Sequence, residues 1–323
     1  MKMLLVGDPH ATSDSLNECR GLVNFIIKTA QQENVDSICI LGDLYHNHGV
    51  VHLSVQKFWQ ESFDLISEEC PRSGVIALVG NHDKSGDISA PEHALMLHQN
   101  VQVIDSPHRC GDILYMPYMA DSREFVKACK ENPTEIVIAH QEFMGGVWDN
   151  GIAIDKDAVD PEEIPQKMVI SGHIHTAQRF GKVWYPGSPR WRTIHDANTE
   201  KYIYSMDLDA KTLTNVTVMH STKSVCKPIV VLKDNAEAPA VIPLDSLVTV
   251  DIYGTKDYID IRKKELENQG CRVRTFPVLE RKLKVKESDG ISKALLKFLN
   301  EWVGKVTGVE LIKMCQERIS WMK

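Results

Sequence analysis

Five short polar signatures, each placed directly after an apolar run, hold the donor set of a metal centre. They are Asp8-Pro9-His10, Gly42-Asp43, Gly80-Asn81-His82-Asp83, Ala139-His140 and Gly172-His173-Ile174-His175. The preceding runs, residues 3–6, 38–41, 75–79, 136–138 and 168–170, are rich in β-branched residues and read as buried strands. The polar residues therefore fall at strand ends. At the carboxyl edge of an α/β sheet, loops from several strands meet, so residues far apart in sequence converge there.

Carboxylate and imidazole suit divalent zinc, manganese or iron. Two such ions about 4 Å apart clamp both the attacking and the leaving oxygen of an in-line displacement at phosphorus. One carboxylate must then bridge the pair, and a water shared between the ions is acidified to supply hydroxide near neutral pH. A neutral amide such as Asn81 limits the negative charge that a phosphodiester has to approach. His82 follows it and points the other way if Asn81 is a ligand, which makes it a candidate to contact or protonate the leaving oxygen. Taken singly, Asp-x-His and Gly-Asp also occur as ordinary turns. The joint occurrence of all five, in this order, argues for the metal centre.

These signatures resemble those of the calcineurin-like metallophosphoesterases, and within them the SbcD and Mre-eleven DNA nucleases. Gly42-Asp43-Leu44-Tyr45-His46 is similar to the Gly-Asp-Leu-Phe-His of those nucleases, and the Asp-Arg-Gly of the Ser/Thr phosphatases is absent at this point. Tyr185-Pro186-Gly187-Ser188-Pro189 resembles the aromatic, Gly-Ser-Pro segment that follows the same Gly-His-x-His in SbcD. The resemblance implies a layered α/β sandwich over roughly the first 190 residues. It implies Asp8, His10, Asp43 and His175 as ligands of one ion and Asp43, Asn81, His140 and His173 as ligands of the other. Asp43 becomes the bridge, His82 the catalytic histidine and His46 a second one nearby. Manganese is the metal it favours, with magnesium, iron or zinc as alternatives.

The elements that must position these residues alternate between apolar runs and helical stripes, the mark of a layered α/β domain. Leu16, Cys19, Val23, Ile26, Ile27 and Ala30 recur at helical spacing between the first two strands, and Val55, Phe58, Trp59, Phe63, Leu65 and Ile66 between the next two. Both stripes read as core faces. The long connection between His140 and His173 carries Gly145-Gly146, Trp148 and Asp149-Asn150-Gly151. It reads either as a loop at the substrate entrance or as a surface excursion. Strands at 201–207 and 213–220 then close the catalytic domain, expected to span 1–225.

Composition is that of a globular protein: 323 residues, 43% hydrophobic and 25% charged. A catalytic signature begins at Asp8 and no apolar stretch reaches the length of a membrane span, so a cytoplasmic, soluble protein is expected. Eight scattered cysteines without Cys-x-x-Cys pairing read as reduced thiols, Cys39 inside a core strand. The net charge of −7 is unevenly spread. Residues 1–225 hold 19 Lys or Arg against 30 Asp or Glu, a net of −11, and residues 226–323 hold 18 against 14, a net of +4.

Overall acidity counts against nucleic acid, but a local basic stripe is what contacts phosphate. Segments 247–253, 256–269 and 271–278 read strand, helix, strand: a small α/β cap domain over 226–286. Its Lys263, Lys264, Arg272, Arg274, Arg281, Lys282, Lys284 and Lys286 form either a DNA-binding stripe or a solvated face. The resemblance favours DNA. Arg190-Trp191-Arg192, nearer the metal signatures, mixes cation and aromatic and is a further candidate for holding DNA.

Residues 287–323 carry two amphipathic helical stripes. The first is Ile291, Leu295, Phe298, Leu299, Trp302, Val303 and Val306; the second follows Thr307-Gly308-Val309-Glu310, a capping-box spacing, with Leu311, Ile312, Cys315, Ile319 and Met322. They pack either on the chain's own core or on a partner. The resemblance implies docking on the coiled-coil base of an SbcC-like ABC-type ATPase, and a homodimer is a further expectation. The sequence thus reads as a metal-dependent DNA exonuclease and endonuclease subunit with an ATPase partner. Its rivals are a phosphatase, a cyclic-nucleotide phosphodiesterase and a non-catalytic interaction scaffold.

Overall fold

The computed structural model describes residues 1–87, 91–155, 157–207, 220–223, 228–244 and 246–277, with the backbone alone at 220–223. Arg281, Lys282, Lys284, Lys286 and both terminal stripes lie outside the described residues, as do residues 213–219 of the expected strand 213–220.

All five apolar runs form strands. β1 (Lys2–Val6), β2 (Ser37–Ile40), β3 (Gly74–Leu78) and β4 (Gln102–Ile104) lie parallel in one sheet. β11 (Tyr202–Asp207) runs antiparallel to β1, and β12 (His220–Lys223) adds beyond it. A second six-stranded sheet has the order β5 (His108–Cys110), β6 (Ile113–Met116), β7 (Ile136–His140), β8 (Met168–Gly172), β10 (Val183–Tyr185), β9 (Gln178–Phe180). Side chains alternate across a strand. Met3, Leu5, Cys39, Ile136, Ile138, Met168 and Ile170 therefore share one core between the sheets. The opposite faces, Leu4, Val6, Ile38 and Ile40, pack under α1 (Leu16–Glu33) and α2 (Leu53–Glu69). Val137, Ala139 and Val169 pack with Phe125 and Cys129 of α3 (Ser122–Glu131). The result is helix, sheet, sheet, helix.

Local chemistry sets the helix ends. Asp121 caps α3 by accepting a hydrogen bond from the Arg123 N–H, and Asn34 ends α1 in the left-handed region at φ 50°. The expected stripes are buried with two departures. Leu16 is only partly covered, and Leu65 is 36% exposed because it lies at the edge of the buried face, about 90° from its middle and close to the angle of Phe58. Cys19, Cys39, Cys70, Cys110, Cys129 and Cys271 are free thiols. No helix among the described residues is long and apolar enough to cross a membrane.

The described residues divide into two compact units, one within 1–232, 241–250 and 270–272, the other within 233–240, 251–269 and 273–277. β13 (Ile229–Asp234), β14 (Leu247–Gly254) and β15 (Arg272–Pro277) form a three-stranded sheet, with α4 (Lys256–Asn268) between the last two in sequence. In the second unit Asp234 accepts hydrogen bonds from Tyr258 and Arg262. The helical stripe gives a direct test of the packing. Phe63→Ala, at a fully buried site, is expected to lower unfolding free energy by roughly 3–5 kcal/mol, and Leu65→Ala by less than about 1 kcal/mol, in urea denaturation.

Candidate metal centre

Loops leaving the carboxyl ends of β1, β2, β3, β7 and β8 bring the seven expected ligands into two clusters. Asp8, His10 and His175 converge at one point, and Asp43, His140 and His173 at another. In the first, His10 Nε2 lies 2.9 Å from His175 Nε2, which is 3.9 Å from Asp8 Oδ2. In the second, Asn81 Oδ1 lies 3.0 Å from His140 Nε2 and 2.9 Å from His173 Nδ1. Asp43 stands between them. Its Oδ2 is 3.4 Å from His10 Nε2 and its Oδ1 is 3.5 Å from His140 Nε2, so one oxygen faces each cluster. A bridging carboxylate needs that placement.

The donor chemistry fits divalent cations. Asp8 Oδ1 is buried without a hydrogen-bond partner, and imidazole nitrogens face one another at hydrogen-bond distance. Such lone pairs are costly to bury together unless a proton or a cation lies between them. Mixed imidazole, carboxylate and amide donors suit zinc, manganese or iron. His46 and His82 gather with His10 in a third histidine group. Their rings are nearly parallel, 5.4 Å apart, and the His82 ring meets His10 edge-on at 4.7 Å. His82 Nδ1 donates to the His46 carbonyl, which leaves Nε2 as the nitrogen able to exchange a proton.

Close approach explains the glycines of the signatures. A Cβ at Gly80 would lie 2.2 Å from Asp43 Oδ1, and one at Gly42, where φ is +109°, 2.3 Å from His140 Nδ1. The carboxylates are held by backbone N–H groups, His82 to Asp43 Oδ1 and His173 to Asp8 Oδ2, both at 2.8 Å. Asp83, quoted in the sequence without a role, accepts from the Tyr45 and Gly80 N–H groups and so ties the second loop to the third.

Charge burial dominates the electrostatics. Burial raises the Asp8 carboxyl to about 8, with Asp43 adding to the rise. Burial also works against Asp43, but His140 and His10 outweigh it and hold that carboxyl well below its usual range. His140 is pushed down by burial yet raised to about 10 by Asp43 and Asp8. Burial lowers His10, His82 and His175, brings His46 to about 4 and, with His140, brings His173 to about 3.

The expected DNA contacts separate into used and available cations. Arg190 corrects its expectation: it is buried, paired with Glu18 at 2.5 Å, and donates to the Pro9 and His10 carbonyls. Ser188 Oγ donates to the Asp8 carbonyl, so the Gly-Ser-Pro-Arg segment braces the first metal loop. Arg274 makes a two-pronged pair with Asp251, and Lys263 pairs with Glu267 along α4. Lys264 and Arg272 are exposed. The half-buried Arg192 guanidinium has no acceptor or ion-pair partner among the described residues, and its charge is felt by His10, His46 and His175. Sequence reasoning missed Glu142, 3.4 Å from His173 Nε2, and gave Asp149, 3.6 Å from His175 Nδ1, no role.

Comparison with known proteins identifies the family. The profile of the calcineurin-like phosphoesterases matches residues 1–177. The chain belongs to that family. Its members are metal-dependent phosphoester hydrolases, and the two Asp/His clusters could hold such a metal. A relative named "Putative phosphoesterase 244L", of Invertebrate iridescent virus 6, is 31% identical over 205 residues, 58% of this chain and 69% of the relative. Exonuclease subunit 1 of Enterobacteria phage T4 is 23% identical over 229 residues, 65% of this chain and 66% of the relative. Among solved structures, Yfce, a phosphoesterase from E. coli, is 14% identical with a TM-score of 0.35, covering 65% of this chain and 90% of that one.

Proton competition yields a pH prediction. Cation binding must displace protons from groups raised to about 8 at Asp8 and about 10 at His140. Manganese affinity of chelator-stripped protein is therefore expected to rise between pH 6 and pH 8. Calorimetry in buffers of different ionisation enthalpy should register net proton release.

Proposed function

We propose that this calcineurin-like phosphoesterase is a two-metal-ion DNA nuclease subunit. Asp8, His10, Asp43 and His175 hold one ion, and Asp43, Asn81, His140 and His173 the other. It hydrolyses phosphodiester bonds at DNA ends, as a 3′ to 5′ exonuclease on duplex with endonuclease activity on single strands or hairpins, in replication, recombination or repair. The observation that carries the reading is Arg192. It lines a cleft of about 500 Å³ within the first unit, together with His10 of the metal cluster and the exposed Arg272. A partly buried guanidinium without a carboxylate partner is suited to a phosphate. Arg192 and the exposed Arg272 along one cleft beside the metal cluster fit a chain of phosphates better than a single phosphate ester. The likeness to the phage exonuclease subunit supports the same choice.

When bound, the metal pair neutralises the phosphoryl oxygens and acidifies a water; manganese is the metal proposed. The protein's residues do the rest. Arg192 orients the backbone. His82, its Nδ1 fixed on the His46 carbonyl, presents Nε2 to the leaving oxygen. His46 stacks on His82 and limits its rotation. The proposed ATPase partner, of the SbcC-like ABC type, would dock on residues 287–323.

An end-labelled linear duplex, assayed with manganese, with magnesium and with a chelator beside a phosphomonoester, tests the reading. Manganese-dependent shortening of the duplex is expected, abolished in Asp43→Ala. Cleavage of the monoester alone would overturn the nuclease proposal. His82→Ala is expected to keep two ions and DNA affinity while cleavage falls roughly 100-fold or more. Arg192→Ala should flatten the salt dependence of DNA binding by about one unit of log-log slope, alike on all sequences.

A further inference from the structure

The connection from β7 to β8 contributes more than an entrance. Each histidine of Gly172-His173-Ile174-His175 turns one nitrogen toward its cluster and the other toward a carboxylate of this connection. His173 places Nδ1 by Asn81 Oδ1 at 2.9 Å, and its Nε2 lies 3.4 Å from Glu142 Oε2. That oxygen is buried and makes no hydrogen bond. His175 places Nε2 by His10 at 2.9 Å, and its Nδ1 lies 3.6 Å from Asp149 Oδ2. Asp149 is also aimed by the backbone, since its Oδ1 accepts from the Thr176 N–H at 2.8 Å.

We infer that Glu142 and Asp149 are positioning carboxylates, one for each metal ion, which fix the tautomer and the ring orientation of His173 and His175. This rests on the two-ion reading above. An imidazole that gives one nitrogen's lone pair to a cation carries its proton on the other nitrogen, and a carboxylate there holds the ring and raises its basicity. The placement is independent at the two sites, because Glu142 faces only the Asn81 cluster and Asp149 only the Asp8 cluster. The connection is stiff enough for the task. Phe143 is fully buried, Met144 N–H donates to the Val159 carbonyl, and Val147 exchanges two hydrogen bonds with the Gln178 side chain. Trp148, between the two carboxylates in sequence, meets the His173 ring at 5.5 Å.

Manganese titration of the full chain by calorimetry, with electron paramagnetic resonance to tell paired from single ions, tests the inference. Asp149→Asn keeps an acceptor for the Thr176 N–H while losing the charge opposite His175, and Glu142→Gln does the same opposite His173. Each is expected to weaken one ion on the order of 10- to 100-fold and spare the other, replacing the paired-ion spectrum by a single-ion one. In a His173→Ala background, which leaves the Asp8 site, Asp149→Asn should weaken the remaining ion and Glu142→Gln should not; in His175→Ala the two exchange behaviour. Glu142→Asp should recover part of the lost affinity. Two ions bound at unchanged affinity in both variants, or an earlier melt of chelated protein with no change in affinity, overturns the inference. A wild-type chain that binds fewer than two ions instead removes the two-ion reading beneath it.

Discussion

Asp8 and Asp43 lie buried beside each other at the edge of a close-packed sandwich, and the surrounding architecture follows from that confinement. Burial and the neighbouring Asp43 charge raise the Asp8 carboxyl to about 8, so holding both groups ionised there requires compensation. The loops supply it as the His140 imidazole, which Asp43 and Asp8 hold protonated, and as oriented N–H groups of His82 and His173. Each comes from a different strand, which is why the strand order brings β1, β2 and β3 together in one sheet and β7 and β8 together in the other. Backbone must also pass within van der Waals range of the ligands, which excludes a Cβ at Gly42 and Gly80.

Much of this was legible in the sequence because the proposed ligands obey a local rule. Each follows a buried strand within a few residues, so an apolar run followed by Asp, Asn or His marks both the element and its cargo. Asp149, Glu142 and Arg190 obey no such rule. Their partners lie 26, 31 and 172 positions away, and only the folded loops bring them together. Arg190 read as a cation beside an aromatic ring, open to nucleic acid, yet Glu18 and two carbonyls enclose it. Leu65 fits the apolar stripe but falls at the rim of the buried face of its helix, where cover is incomplete.

Counting charge was similarly blind to pairing. Of the 18 cations after residue 225, Arg262 and Arg274 are held by Asp234 and Asp251 at close range, which a net charge does not reveal. Arg192, by contrast, sits in the acidic part of the chain and carries a guanidinium without an acceptor. Affinity for a polyanion depends on such uncompensated cations, and a sum over the sequence does not find them.

The brace from Ser188 and Arg190 to the Asp8 loop bears on how the site comes into being. All seven proposed ligands are in the chain by His175, but the carbonyl of Asp8 waits for a hydroxyl 180 positions later. Contacts of that separation carry a large loop-closure entropy and form late in folding. During synthesis the sandwich can therefore collapse with every donor present and the first loop still loose. Closure of the Asp8 loop thus depends on a segment just past the region that matches the family.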